Sequence, residues 1–216
     1  MQTLTEENYL KAIFKLAQNN LDKISATAIA DEMEVNAASV IDMLKKLKEK
    51  KLISYDKKIG AKLAPQGNKL AINIVRKHRL WEVFLFEKLK YTWDEVHEMA
   101  EQLEHIKNPE LADRLDKFLE FPQFDPHGDP IPKANGNIPE VSKILLADKK
   151  QGDTCKVVSV KDTSPAFLKY LNQLSIVIGS KIYIKEIISF DNSLIILIDD
   201  KECTVSEKLA NSIFVK

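Results

Sequence analysis

The chain has 216 residues, 44% of them hydrophobic and 30% charged, with 32 basic and 32 acidic side chains. That length suits one large domain or two to three small ones, with enough apolar content for a real core. No apolar run approaches the ~20 residues of a membrane helix, the polar, early-acidic MQTLTEENYLK is wrong for a signal peptide, and Cys155 and Cys203 form no CxxC pair. A cytoplasmic protein with reduced, packed cysteines is therefore expected, with no membrane partner.

The zero net charge hides a pattern. Lys45 to Lys62 carries eight lysines against Glu49 and Asp56, whereas residues 73–140 hold fourteen acids against nine bases. A basic N-terminal part beside an acidic middle suits a nucleic-acid module joined to a cation-binding one. Charge runs alone more often mark solvated faces, so the pattern carries weight only together with the motifs around it.

Thr5 is placed to cap a first helix, with Tyr9, Ile13, Leu16 and Ala17 as its buried stripe. The polar stretch NNLDK ends it. Ser25 opens a short helix with Ile29 and Met33 inward, and Asn36 caps a longer one, AASVIDMLKKLKEKK. Residues 52–55 and 61–63 read as two short strands with Gly60 at the turn. Helix, short helix, tight turn, longer helix and basic hairpin make a winged helix-turn-helix over residues 1–72. The second helix of such a pair lies in the DNA major groove with its first residues at base edges. Asn36, Ala38, Ser39 and Asp42 are the candidates for base contacts. Lys45, Lys46, Lys57 and Lys58 are the candidates for phosphates. Such a domain can bind protein instead; the lysine bias favours double-stranded DNA.

Pro65 suits the first turn of a long helix running from about Asn68 to Leu89. Over residues 80–86 it is apolar on nearly every side, which predicts burial against several neighbours and a subunit interface. Thr92-Trp93-Asp94-Glu95 is a capping box ahead of a helix with Val96, Met99, Ala100 and Leu103 inward. Asn108-Pro109 opens another, with Leu111, Leu115, Phe118 and Leu119 inward. The Pro- and Gly-rich FDPHGDPIPKANGNIPE is a loop and linker, with His127 between Asp125 and Asp129. Residues 73–140 thus predict a helical metal-binding and dimerisation domain.

Two stripes in this middle third carry chemistry. His78 and Glu82 are spaced i, i+4, and His97, Glu101, Glu104 and His105 fall at i, i+4, i+7 and i+8, one helical face each. A solvated charged face explains any one of these residues. The set, with three of four histidines in phase with carboxylates, is what two helices need to hold a divalent metal.

From Ile144 the period turns from helical to alternating. TCKVVSVKD, SKIYIKEIIS, SLIILIDD and KECTVS read as strands, SPAFLKYLNQL as a short helix capped by Ser164, and Lys208 to Phe214 closes the domain. Residues 141–216 predict a small β-barrel. There is no Ser-His pair, no Gly-rich phosphate loop and no histidine after His127, so no enzyme is expected.

With these parts in order, the chain resembles the DtxR/MntR family of metal-dependent transcriptional repressors, through TEENYLKAI, KHRLWE (Lys77–Glu82), VHEMAEQLEH (Val96–His105) and DPHGDPIP (Asp125–Pro132). The resemblance implies a mainly α protein with a small β domain: winged helix-turn-helix, helical dimerisation domain and SH3-like, FeoA-like C-terminal barrel. It implies a homodimer on a palindromic operator, loaded with Mn(II) or Fe(II), two ions per subunit in some members. Its primary metal site maps to Asn8, Glu101, Glu104 and His105. Glu101 matches the manganese type, whereas Asn8 departs from the Asp or Met of either type; an oxygen-rich set with one imidazole suits Mn(II) or Fe(II). Lys11 stands where some manganese-type members place a glutamate for a second metal. The ancillary site maps to His78, Glu82 and His97, and in members whose loop and barrel complete it, to His127 with Asp125 and Asp162. The iron-type barrel ligands have no counterpart near Thr163 to Ala166.

On this reading metal ties the first helix of the DNA module to the dimerisation domain and holds two recognition helices about one DNA turn, ~34 Å, apart. Two rivals stand beside it: a metal-dependent hydrolase with Glu101 or Glu104 as general base, which lacks HExxH and an oxyanion element, and a winged-helix protein-interaction module with a structural metal.

Overall fold

The computed structural model describes residues 3–18, 23–108, 110–140, 144–198 and 201–216. Most of NNLDK, together with Pro109 of the expected Asn-Pro helix start, lies outside them. The chain forms two compact units, Met1–His78 with Gln102–Asp113 and Pro132–Asn137, and Arg79–Glu101 with Arg114–Ile131 and Ile138–Lys216. The three ranges drawn from sequence divide differently, since the middle one contributes to both units. No helix is long and apolar enough to cross a membrane among the described residues.

In the first unit α1 (Leu4–Gln18) buries Tyr9, Leu10, Ile13, Phe14 and Leu16. Its cap is Thr3, not Thr5: Thr3 Oγ1 accepts the Glu6 N–H, and Glu6 Oε2 accepts the Thr3 N–H, both at 3.2 Å. Thr3 wins because the residue three places on is Glu6, whereas Thr5 has Asn8 there and cannot close the reciprocal box. The short helix α2 (Ala26–Met33) starts at Ser25, which accepts from Ala28 N–H. It stops at Glu34 in the left-handed region, φ 53, where the chain reverses into α3 (Ala37–Glu49). The hairpin β1 (Ile53–Asp56) and β2 (Gly60–Leu63) follows in antiparallel register. Gly60 has φ +94, and a Cβ there would lie 2.6 Å from Ile24 O, so only glycine lets the wing press against the α1–α2 connection. Ala61 N–H donates to the same Ile24 O at 2.8 Å. Helix, turn, helix and wing are thus pinned as one module.

The long helix α4 (Pro65–Glu87) begins with Pro65, as expected, three residues earlier than its apolar pattern suggests. Two shorter helices follow, α5 (Val96–Leu103) after a turn in which the Glu95 carboxylate accepts from the Thr92 N–H and hydroxyl, and α6 (Leu111–Phe118). In the second unit Leu80, Val83 and Leu85 are buried, while Trp81 and Phe84 are half-buried and Phe86 is exposed. The all-round apolar stretch therefore covers an internal core on one side and leaves aromatic surface on the other.

The C-terminal part holds β3 (Ile144–Leu145), β4 (Thr154–Val160), α7 (Pro165–Gln173), β5 (Lys181–Ile187), β6 (Leu194–Ile198), β7 (Lys201–Val205), α8 (Glu207–Ala210) and β8 (Ile213–Val215). The strands form one antiparallel sheet, ordered β3-β8-β4-β5-β6-β7. Among the described residues its outer strands β3 and β7 are not paired with each other, so in place of the expected closed barrel these residues form an open SH3-like sheet. Bulges in β4 and β5 bend it. Alternation on β6, with Leu194, Ile196 and Ile198 inward, feeds a core that also includes Leu168 and Leu171 of α7 and Ile213 of β8.

Candidate metal centres and nucleic-acid interface

The first unit gathers Glu7, Asn8 and Lys11 from α1, His78 from α4, and Glu104 and His105 just past α5. Glu104 is fully buried. Its Oε2 is 2.7 Å from Lys11 Nζ and 2.6 Å from His78 Nδ1, and those two nitrogens are 3.1 Å apart. Its other oxygen, Oε1, is buried with no hydrogen-bond partner among the described residues, and so is Asn8 Oδ1. A buried acceptor left unmet costs ~1–3 kcal/mol, more when charged. Two such oxygens in one unit, both at positions the family resemblance marks as ligands, fit a site built for a hard divalent cation.

His105 stands beside Glu104 in the same unit. Its Nδ1 is 2.7 Å from Glu7 Oε2, and its Nε2 is 3.7 Å from Glu104 Oε1. The carboxylate can only accept, so Nδ1 carries the proton and Nε2 is left with its lone pair available. A separation of 3.7 Å is too long for a hydrogen bond but within the span of one ion with bonds of about 2.1 Å to each. Glu7 is the orienting carboxylate that sequence reasoning misses; its only signal is its place beside Asn8. Glu101 belongs to the second unit, where its Oε1 is 3.7 Å from His97 Nε2.

The second unit brings together Glu82 from α4 with Asp125 and His127 from the Pro- and Gly-rich loop. All three are buried, and one ligating atom of each lies within 4.8 Å of the others. Glu82 Oε1 is 3.7 Å from His127 Nδ1 and 3.2 Å from His97 Nδ1. Within the first unit His78 Nδ1 meets Glu104 at 2.6 Å. His127 Nε2 lies 2.7 Å from the Trp93 carbonyl, which can only accept, so Nε2 carries a proton and Nδ1 is turned to Glu82.

The second cluster crowds like charges in a buried place. Burial, reinforced by the Glu82 and Asp129 charges, pushes the Asp125 carboxyl up to about 8 against the opposing pull of Arg79 and His127. Burial works to lower the His127 pKa, but Glu82 and Asp125 outweigh it and raise it to about 9. Arg79 frames the loop: it donates to Pro130 O at 2.6 Å and to Asp129 Oδ2 at 3.0 Å, with its Nε 3.5 Å from Asp125 Oδ2. Asp125 Oδ1 in turn accepts the N–H groups of His127 and Asp129. Asp162 sits at an exposed turn, its Oδ1 accepting the Ser164 N–H.

All eight candidate DNA contacts are exposed on α3 and the wing: Asn36, Ala38, Ser39, Asp42, Lys45, Lys46, Lys57 and Lys58. Two of the polar groups have local duties. Asn36 Oδ1 accepts the Ala38 N–H at 2.8 Å, and Ser39 Oγ donates to Asn36 O at 2.6 Å. Asp42 pairs with Lys45 at 3.0 Å. In the wing turn Asp56 accepts the N–H groups of Lys58 and Ile59, which lowers its pKa and shapes the loop that presents Lys57 and Lys58.

Comparison with known proteins covers nearly the whole chain. Residues 1–61 match the iron dependent repressor, N-terminal DNA binding domain; residues 64–133 match the iron dependent repressor, metal binding and dimerisation domain; residues 144–216 match the FeoA domain. The chain is 31% identical over 128 residues to a diphtheria toxin repressor of Corynebacterium jeikeium, a match over 59% of this chain and 53% of that one. It thus spans about half the length of the curated relatives it matches at this level. A solved manganese-dependent transcriptional repressor in complex with manganese is 36% identical, with TM-score 0.86 over 97% of this chain and 98% of the other. The manganese regulator SloR is also 36% identical, with TM-score 0.81 over 98% and 97%. Winged helix, metal-binding helices and FeoA sheet, matched along nearly their full length, place the chain in the DtxR/MntR family of metal-dependent transcriptional repressors.

Proposed function

We propose that this protein is a repressor of metal-ion homeostasis genes that binds a palindromic operator as a homodimer when loaded with Mn(II) or Fe(II). The observation that carries the reading is the pair of buried, unpartnered oxygens, Asn8 Oδ1 and Glu104 Oε1. Asn8 belongs to the first helix of the DNA-binding module and Glu104 to the metal-binding segment. The first centre is Asn8, Glu104 and His105, with Glu101 carried into the set by the resemblance; the second is Glu82, Asp125 and His127, with His97 against Glu82. His78 serves the first centre by holding Glu104. When bound, a divalent ion supplies the positive charge that these buried oxygens lack. Asn8 and Glu104 then fix α1, and with it α3 and the wing, against the segment after α5.

The remaining parts follow from the same reading. Asn36, Ala38, Ser39 and Asp42 face base edges, and Lys45, Lys46, Lys57 and Lys58 face phosphates. The half-buried Trp81 and Phe84 with exposed Phe86, Phe118 and Phe121 supply the dimer surface; Phe84 and Phe118 lie 6.1 Å apart, centroid to centroid. Glu101 and Glu104 act as ligands, not as general bases, so neither a hydrolase nor any other enzyme is proposed, and the site of action is the cytoplasm. The test is binding of purified protein to a palindromic duplex with Mn(II), with Fe(II) under anaerobic conditions, and with EDTA. Metal and DNA should strengthen each other's binding by ~1–3 kcal/mol or more. Equal DNA affinity with metal and with EDTA sinks the reading.

A further inference from the structure

Within the second unit the loop that carries His127 is joined to the C-terminal sheet from two sides. On one side stands Trp93, just ahead of α5. It is 6% exposed and belongs to the same buried cluster as Leu168 and Leu171 of α7. Its indole Nε1–H donates to Asn172 Oδ1 on α7 at 2.9 Å. Its carbonyl accepts the His127 Nε2–H at 2.7 Å, and its ring stacks on the imidazole, centroids 6.2 Å apart and planes 22° from parallel.

On the other side the two backbones touch. His127 O accepts the Val160 N–H at 3.3 Å. Gly128 has φ +83, and a Cβ on it would lie 1.9 Å from Val158 O. Val158 is the extra residue of the β4 bulge, between Val157 and Ser159. A bulge facing a glycine is how a strand brings its backbone against a loop at this range.

We propose that Trp93 is a positioning residue for the Glu82–Asp125–His127 centre and that Asn172 is its anchor in the C-terminal domain. This rests on the proposed role of His127 as a metal ligand through Nδ1. The Trp93 carbonyl holds the proton on Nε2, the stacked indole holds the ring plane, and Asn172 holds the indole. A ligating imidazole whose second nitrogen is held in this way keeps one tautomer and one orientation. The C-terminal domain thereby sets the affinity of the centre through residues that never touch the ion.

The test is Mn(II) binding to the full chain, read from the EPR signal of the free ion, with folding checked by thermal unfolding. His127→Ala should bind one Mn(II) fewer per chain. If it binds as many as wild type, the metal reading of this centre fails and the positioning role goes with it. With that ion identified, Asn172→Leu should weaken it on the order of tenfold, and Asn172→Asp, which keeps an acceptor, should restore it. Asn172 is exposed, so neither exchange disturbs the core. Trp93→Phe keeps the stack and the carbonyl, loses the indole N–H, and should behave as Asn172→Leu does. Wild-type affinity in both Asn172→Leu and Trp93→Phe, or a loss that Asp does not restore, overturns the positioning role while leaving the centre in place.

Discussion

Lys11 Nζ sits 2.7 Å from Glu104 Oε2, linking the first helix of the DNA-binding module to the buried carboxylate at the end of the metal-binding helix. With 16% of the lysine side chain and none of the glutamate exposed, this is a largely buried ion pair. Removing one partner strands the other charge, at a cost of about 3–5 kcal/mol. Lys11→Met should therefore lower the melting temperature of the metal-free protein markedly. It should also enlarge the stabilisation by Mn(II), because the ion then replaces the positive charge that Glu104 has lost and no longer faces a fixed ammonium. Differential scanning calorimetry with and without Mn(II) reads both; an unchanged metal-induced shift refutes this account of Lys11.

The second centre should exchange protons for metal. Near neutral pH, without metal, the Asp125 carboxyl at about 8 and the His127 imidazole at about 9 both hold their protons. A ligand must give its proton up to bind, so affinity rises with pH and loading releases protons into the buffer. Calorimetric titration of Mn(II) in two buffers of different ionisation heat measures the number released. Buffer-independent heats for this centre contradict the picture.

Much of the local structure was legible in the sequence, because caps and turns act over three or four residues. Ser25, Asn36 and Ser164 all cap where their neighbours predict, whereas at Thr92 only half of the expected box forms: the Glu95 carboxylate accepts the Thr92 N–H, and the Thr92 hydroxyl donates to that carboxylate instead of accepting a helix N–H. Thr3 was legible too, since Thr3-Leu4-Thr5-Glu6 spells the reciprocal box, but Thr5 looks equally good until the residue three places on is weighed. Contacts between distant segments left little trace. Nothing in the spacing of Lys11, His78 and Glu104 says that they meet, and Asp125 meets Glu82 only because the Arg79 clamp and the Gly128 turn fold the loop back. The alternation of the C-terminal strands announces a two-faced sheet, but whether it closes depends on its outer strands, which alternation does not encode.

The wing lysines should contribute affinity without choice of sequence. Lys57→Ala with Lys58→Ala should weaken binding to operator and to random duplex alike, and lower the slope of log affinity against log salt by about 0.9 for each lost phosphate contact. Fluorescence anisotropy across a salt series measures it. A loss confined to the operator means these lysines read bases.

Phe118 is 61% exposed, stands beside Phe84 and lies under the Lys88 ammonium, 5.8 Å from its ring centre. Phe118→Asp should shift the protein to monomer in sedimentation equilibrium and weaken operator binding, because each half-site then binds alone. A dimer that survives the exchange places the subunit interface elsewhere.

The start of α3 has a further consequence for the operator. Asn36 Oδ1 and Ser39 Oγ are engaged in the helix's own first turn, and what stands exposed beside them are the methyl groups of Ala37 and Ala38. Methyl groups read DNA by packing on the C5-methyl of thymine. Uracil lacks that methyl but keeps every hydrogen-bonding edge. An operator scanned base by base from thymine to uracil should therefore lose affinity at a few positions in each half-site, and those positions trace where the helix begins.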